Sequence, residues 1–158
     1  MHAPFLNRRH FVLGSAALAT GGLIPTAQAA TFAPTETMRG GSNNYRPNAP
    51  LVDKLGTGFF VRGKVLKAGA GEPLANVRIQ IWAATTLGGE REPRNHGSVF
   101  TREDGSYELE MMQIVPNFGQ PHAHLAYDDD AYRTVFLRPV MPSASDTSVT
   151  ADFVLAPA

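Results

Sequence analysis

The chain predicts an all-β domain, an antiparallel β-sandwich of about seven or eight short strands. Three observations carry that expectation. Apolar and polar residues alternate in short runs such as Phe59–Val65 and Val77–Trp82, the period of a half-buried strand. Turn-forming stretches separate the runs: Ala68-Gly69-Ala70-Gly71-Glu72-Pro73, Arg102-Glu103-Asp104-Gly105 and Pro142-Ser143-Ala144-Ser145-Asp146. No segment after residue 29 carries the apolar stripe of a helix.

Residues 1–29 read as a twin-arginine signal peptide. Asn7-Arg8-Arg9-His10-Phe11-Val12-Leu13 is followed by a moderately apolar run to Ile24 and by Ala27-Gln28-Ala29, an A-x-A cleavage pattern. The run is short and is broken by Gly14, Gly21, Gly22 and Pro25, so no stable membrane span is expected once it is removed. The expected destination is the periplasm or the exterior. Residues 30–57, rich in Pro, Gly, Asn and Ser, read as an extended arm that Tyr45 and Leu51 pin to the body.

The sandwich is expected over residues 58–158. Phe59, Val61 and Val65 mark a first strand, and Val77, Ile79 and Ile81 a second. Thr85–Ser98 is an irregular polar loop, long enough to suggest function. Val99-Phe100-Thr101 leads into the Asp104-Gly105 turn, and Tyr107, Leu109 and Met111 mark the next strand. His122–Tyr127, Tyr132–Leu137 and Val149–Leu155 complete the set. Asp128-Asp129-Asp130 lacks the glycine and ligand spacing of a calcium loop and reads as a solvated turn.

Composition narrows the chemistry. Without cysteine there is neither a disulfide nor a thiolate metal site, so a metal must use His, Asp, Glu or Tyr. Of 14 basic residues, Arg8 and Arg9 leave with the signal, and 12 then stand against 14 acidic ones. No basic stripe remains, which argues against a nucleic-acid partner. His122 and His124, two apart on a strand, point to one face and can share one ion.

The order of motifs is similar to that of the intradiol ring-cleavage dioxygenases, the protocatechuate and catechol dioxygenase family. Gly63-Lys64-Val65-Leu66, then Glu72-Pro73-Leu74-Ala75-Asn76 and Val77-Arg78-Ile79-Gln80-Ile81-Trp82-Ala83-Ala84 resemble its G-x-V…G-x-P-L…V-x-I-W-x-A opening. Thr101-Arg102-Glu103-Asp104-Gly105-Ser106-Tyr107 resembles its T-D-x-x-G-x-Y, and Gln120-Pro121-His122-Ala123-His124-Leu125 its R-P-x-H-I-H-F. The resemblance spans about residues 58–140. It implies a β-sandwich holding one non-haem iron, as Fe3+ bound by two tyrosinates and two histidines, with a small catechol-type aromatic and dioxygen as reactants. Association into homo-oligomers is compatible with it.

Carried over position by position, His122 and His124 match the histidine ligands. Glu90 stands where the first tyrosine is expected, Phe118 where the second is expected, and Gln120 where an arginine is expected. Three readings follow. In the first, His122, His124 and Glu90 form a two-histidine, one-carboxylate set suited to Fe2+ or another divalent ion. His96 is then a fourth ligand or proton shuttle, and His96 and Gln120 are the candidate catalytic residues. Glu90 and His96 also have an ordinary reading, as solvated polar groups of a surface loop. In the second, a tyrosine from elsewhere, Tyr45 above all, restores a phenolate. In the third, the chain is a binding module for a metal or an aromatic compound. Trp82, Phe118 and Tyr45 are the candidate pocket walls.

Overall fold

The computed structural model describes Gly22 and residues 30–158; the signal-peptide reading of residues 1–29 lies, Gly22 apart, outside the described residues. The described chain forms eight strands: β1 (Phe59–Lys67), β2 (Arg78–Trp82), β3 (His96–Phe100), β4 (Ser106–Met111), β5 (His124–Tyr127), β6 (Val135–Leu137), β7 (Ser148–Thr150) and β8 (Phe153–Leu155). One sheet runs β4-β1-β7, with β8 also paired to β1; the other runs β3-β2-β5-β6. The core lies between them. Phe59, Val61, Val65, Leu109 and Met111 from one sheet meet Ile79, Ile81, Leu125, Tyr127 and Leu137 from the other.

The second sheet is antiparallel throughout, whereas in the first β7 and β8 run parallel to β1. Both lie on the same side of β1, β7 beside Phe60–Arg62 and β8 beside Val65–Lys67. The chain bends between them at Ala151-Asp152, and the bend fills the space a side chain at Gly63 would need. A Cβ there would sit 1.8 Å from the Ala151 carbonyl oxygen, to which the Tyr107 hydroxyl also donates. Tyr107 is therefore a core residue tied to the sheet.

The arm is structural. Phe32 pairs with Gly69, and the Thr35 and Met38 amides donate to the Val154 and Phe136 carbonyls at 2.9 and 2.8 Å. Further along, Pro50 and Val52 bond to Ser98, and the Leu55 amide donates to the Glu110 carbonyl. Asn44 and Asn48 take left-handed backbone (φ 58° and 62°), which asparagine tolerates better than most residues and which lets the arm turn repeatedly. The arm thus crosses the outer face of the β3-β2-β5-β6 sheet. That face is polar in sequence (Gln80, His96, Ser98, His124) yet buried. A sheet covered on both faces needs partners for every such group, and the arm supplies several of them.

Candidate metal centre

The β-register builds the site. Trp82 pairs with His96 on one side and His124 on the other, so all three side chains stand on the outer face in one row. The indole lies parallel to both imidazoles, with centroids 5.1 Å from His124 and 5.8 Å from His96 and planes within 7° and 6°. His122 precedes β5, held by its own bridge to Val140, and turns to the same side as His124. Ala123, Leu125 and Tyr127 take the opposite, core side.

Glu90 arrives from the loop between β2 and β3. Asn95, buried at the end of a single 3₁₀ turn (Pro93–Asn95), pins that loop. Its amide donates to the Gly88 and Gly89 carbonyls, each at 2.9 Å, and its oxygen accepts from the Thr85 hydroxyl at 2.8 Å. The loop therefore buries Glu90 (5 % exposed) where the polarity of the sequence suggested a solvated carboxylate.

Glu90 Oε1 lies 2.7 Å from His122 Nε2 and 3.1 Å from His124 Nε2. Ligands on bonds of about 2.0–2.2 Å around one ion are spaced by roughly this much. The far sides of the rings fix the proton positions. His122 Nδ1 lies 2.9 Å from the Gln120 carbonyl and His124 Nδ1 lies 2.9 Å from the Gly41 carbonyl. A carbonyl only accepts, so each Nδ1 carries hydrogen and each neutral ring presents an Nε2 lone pair to Glu90. Arg138 Nη2 is 3.4 Å from the same His122 Nδ1, but the shorter carbonyl contact claims that nitrogen.

Glu90 Oε1 and His124 Nε2 are buried with no hydrogen-bond partner. Three facing lone pairs repel unless positive charge lies between them: extra protons on the imidazoles, or a metal ion. Burial alone raises the Glu90 carboxyl, but the facing His122 and His124 and the Asn44 amide outweigh it and hold it well below the ordinary carboxylate range. The pairing with the imidazoles requires Nε2–H; a cation among the three atoms does the same work without it. Two imidazoles and one carboxylate, within 4.8 Å of one another, are a donor set that fits a divalent first-row metal.

The arm completes the cluster. Besides the Gly41 carbonyl on His124, Asn44 Nδ2 donates to Glu90 Oε2 at 2.7 Å, leaving Oε1 to face the histidines. Asn44 Oδ1 accepts from Arg91 Nε at 3.0 Å, and the Asn43 carbonyl accepts from the Trp82 indole at 2.9 Å. A cavity of about 350 Å³ opens over Glu90 and His122, bounded by Asn43, Asn44, Arg91, Asn117, Phe118 and Arg138.

The structure thus brings Glu90, His122 and His124 together and separates the other candidates from them. Phe118 is on the pocket rim, fully exposed, on a strained turn (φ 50°). Trp82 is not a pocket wall, because it is buried between two imidazoles. His96 is not a fourth member of the cluster: its Nε2 bonds the Glu90 backbone carbonyl, and its Nδ1 is buried without a partner. Burial outweighs that bond and lowers the His96 pKa, keeping the ring neutral. The Gln120 side chain is exposed and outside the pocket; its backbone carbonyl is what holds His122.

Three tyrosine hydroxyls are engaged with other partners. The Tyr45 hydroxyl donates to Asp128 and accepts from Gln80, and burial, then the bond to Asp128, push it up to about 12. Tyr107 donates to Ala151, and the Tyr127 oxygen accepts from the Tyr132 amide. Arg138, just after β6, places a guanidinium beside His122 and the cavity. The sequence reads a strand over Tyr132–Leu137, ending just before Arg138, and nothing in it ties Arg138 to His122. Asn44 gave no chemical signal at all.

Neither a protein-family model nor a curated protein matches the sequence. Solved structures do match the fold. One is the dioxygenase domain of a dioxygenase carbohydrate-binding protein fusion from the cellulolytic bacterium Streptomyces sp. SirexAA-E. It is 21% identical, over 79% of this chain and 99% of that one, at TM-score 0.60. Hydroxyquinol 1,2-dioxygenase from Pseudomonas putida DLL-E4 is 15% identical over 82% and 68%, at TM-score 0.59. 3-Chlorocatechol 1,2-dioxygenase from Rhodococcus opacus 1CP is 16% identical over 72% and 69%, at 0.55. The chain has the β-sandwich fold of the intradiol ring-cleavage dioxygenases.

Proposed function

We propose that the protein is an exported, mononuclear non-haem iron oxygenase that opens a small catechol-type aromatic ring with dioxygen. Glu90, His122 and His124 would hold the metal. The observation that carries this reading is the meeting of three buried donor atoms, two of them without a hydrogen-bond partner, beneath an open pocket. The fold neighbours are named for catechol and hydroxyquinol oxygenation, which supports the choice of substrate class. Export rests on the twin-arginine pattern at Asn7–Leu13.

A metal held by two histidines and one carboxylate leaves coordination positions open, and iron there supplies redox chemistry with dioxygen. The chain does the rest. Gln120 and Gly41 hold the imidazoles in one tautomer, and Asn44 turns the Glu90 carboxylate. Arg138 and Arg91 bring positive charge to a pocket whose one lining carboxylate is turned toward the histidines, which favours a ligand with ionised oxygens. The exposed Phe118 ring offers an apolar face to an aromatic ligand.

The absence of a tyrosine from the cluster favours a second reading, a sandwich that binds metal and aromatic ligand without cleaving the ring. Oxygen uptake separates the two. Iron-loaded protein with 1,2-dihydroxybenzene should consume dioxygen and place both its atoms in a ring-opened acid. Ligand binding without oxygen uptake leaves the second reading.

A further inference from the structure

A row of aromatic rings leads from His124 to the protein surface. Trp82 is stacked on His124 at 5.1 Å, and the Tyr45 ring lies 5.5 Å from Trp82 on the side of the arm. The Tyr45 hydroxyl then donates to the carboxylate of Asp128, which is exposed, and Gln80 Nε2 donates to the same hydroxyl at 3.0 Å. Each link suits the passage of an electron. Indole is among the most easily oxidised side chains. Phenol is oxidised readily only when its proton has somewhere to go, and a hydrogen-bonded carboxylate is a fixed acceptor.

Packing alone does not account for the hydroxyl. A phenylalanine at 45 would cover Trp82 and meet Phe136 equally well, and the hydroxyl's structural task, accepting from the buried Gln80 amide, does not call for its second bond, to the carboxylate of Asp128. Among the described residues, Tyr45 alone of the four tyrosines has a carboxylate acceptor; Tyr107 donates to a backbone carbonyl, which is far too weak a base to take its proton.

We propose that Trp82 and Tyr45 form an electron-transfer path that carries an oxidising equivalent from the His124 side of the metal site out to Tyr45, where Asp128 accepts the phenolic proton. The path rests on the reading of the cluster as an iron site that meets oxidants. It protects the ligand histidines when an oxidant reacts without substrate. With hydrogen peroxide, two electrons and two solvent protons yield two waters. Ferrous iron held by Glu90, His122 and His124 would supply one electron and become ferric. Tyr45 supplies the other through Trp82, and its phenolic proton passes to Asp128, leaving a neutral tyrosyl radical. A small one-electron, one-proton donor such as ascorbate then restores the phenol.

Trp82 is the only tryptophan of the chain, so an ultraviolet pulse at the red edge of the indole band, beyond tyrosine absorption, ionises it selectively in metal-free protein. The indolyl radical should decay as a tyrosyl radical grows in. Tyr45→Phe should abolish the tyrosyl signal and prolong the indolyl one, and Asp128→Asn should slow the transfer. Equal decay in wild type and Tyr45→Phe overturns the path. Iron-loaded protein frozen after peroxide addition should show a tyrosyl radical by electron paramagnetic resonance that Tyr45→Phe lacks; the same radical in both proteins, or none in wild type, also overturns it. Failure to retain iron would sink the metal reading instead, and photo-ionisation would still decide the path.

Discussion

Glu90 Oε1 stands 3.1 Å from His124 Nε2, both atoms buried and neither with a hydrogen-bond partner. The two residues come from different elements, a pinned loop and a strand, and the arm fixes each from the outside. Because the Nδ1 protons are committed to backbone carbonyls, any proton on Nε2 makes the ring cationic. Metal binding must displace such protons. Calorimetry in buffers of different ionisation enthalpy should show proton release on binding, and apparent affinity should rise with pH.

Asn44 is expected to matter to the metal more than to the fold. Asn44→Ala removes the donor to Glu90 Oε2 and the acceptor for Arg91. Loss of such an outer partner typically costs about 10–100-fold in metal affinity. Thermal unfolding of the metal-free variant checks that the fold survives, and metal titration reads the loss. Asn44→Asp should be worse than alanine, because it sets a second carboxylate against Glu90.

Much of this was legible in the sequence, and the limits are physical. Period-two alternation gave β1, β2 and β4, and the two-residue spacing put His122 and His124 on one side. The resemblance puts Glu90 at a ligand position. In the sequence the arm reads as a pinned extension, but its part in the site is invisible there. It has no apolar period, and it acts through the Gly41 and Asn43 carbonyls, which every residue possesses. Trp82 reads as a pocket wall in the sequence, since an aromatic residue near a site looks the same whether it faces the ligand or packs behind a histidine. The parallel pairing of β7 and β8 with β1 also escaped, because alternation reports which face is buried and not strand direction.

Gly63→Ala should be among the most damaging small changes in the chain. The added methyl meets the Ala151 carbonyl at 1.8 Å, and only a shift of the β7–β8 bend relieves it. A loss above about 3 kcal/mol is expected, beyond the usual overpacking range. Phe118→Ala should change stability by less than about 0.5 kcal/mol, as an exposed residue, while weakening the binding of an aromatic ligand. Denaturant unfolding and ligand titration measure the two effects.

The stability of the metal-free protein should fall off on both sides of a neutral plateau. His96 is lowered by burial, so its contribution is full above its ordinary pKa of 6.5 and is lost as pH falls below it. Glu90, also lowered, adds to the acid-side loss once pH enters the ordinary carboxylate range. Tyr45 is raised from 10.0 to about 12, and Tyr107 is raised by burial, so their contributions are full below pH 10.0 and are lost as pH climbs through the folded values. His96→Gln should flatten the acid limb near neutrality, and Tyr45→Phe the alkaline one.

The most direct test is an anaerobic ferrous-ion titration of the wild-type protein beside Glu90→Gln and His124→Ala, each checked for folding by circular dichroism. The wild type should bind one equivalent and, on exposure to air, stay free of the red-brown tyrosinate band, while both variants lose the site. A wild type that takes up no iron, variants that bind as it does, or an intense tyrosinate band would contradict a centre built from Glu90, His122 and His124.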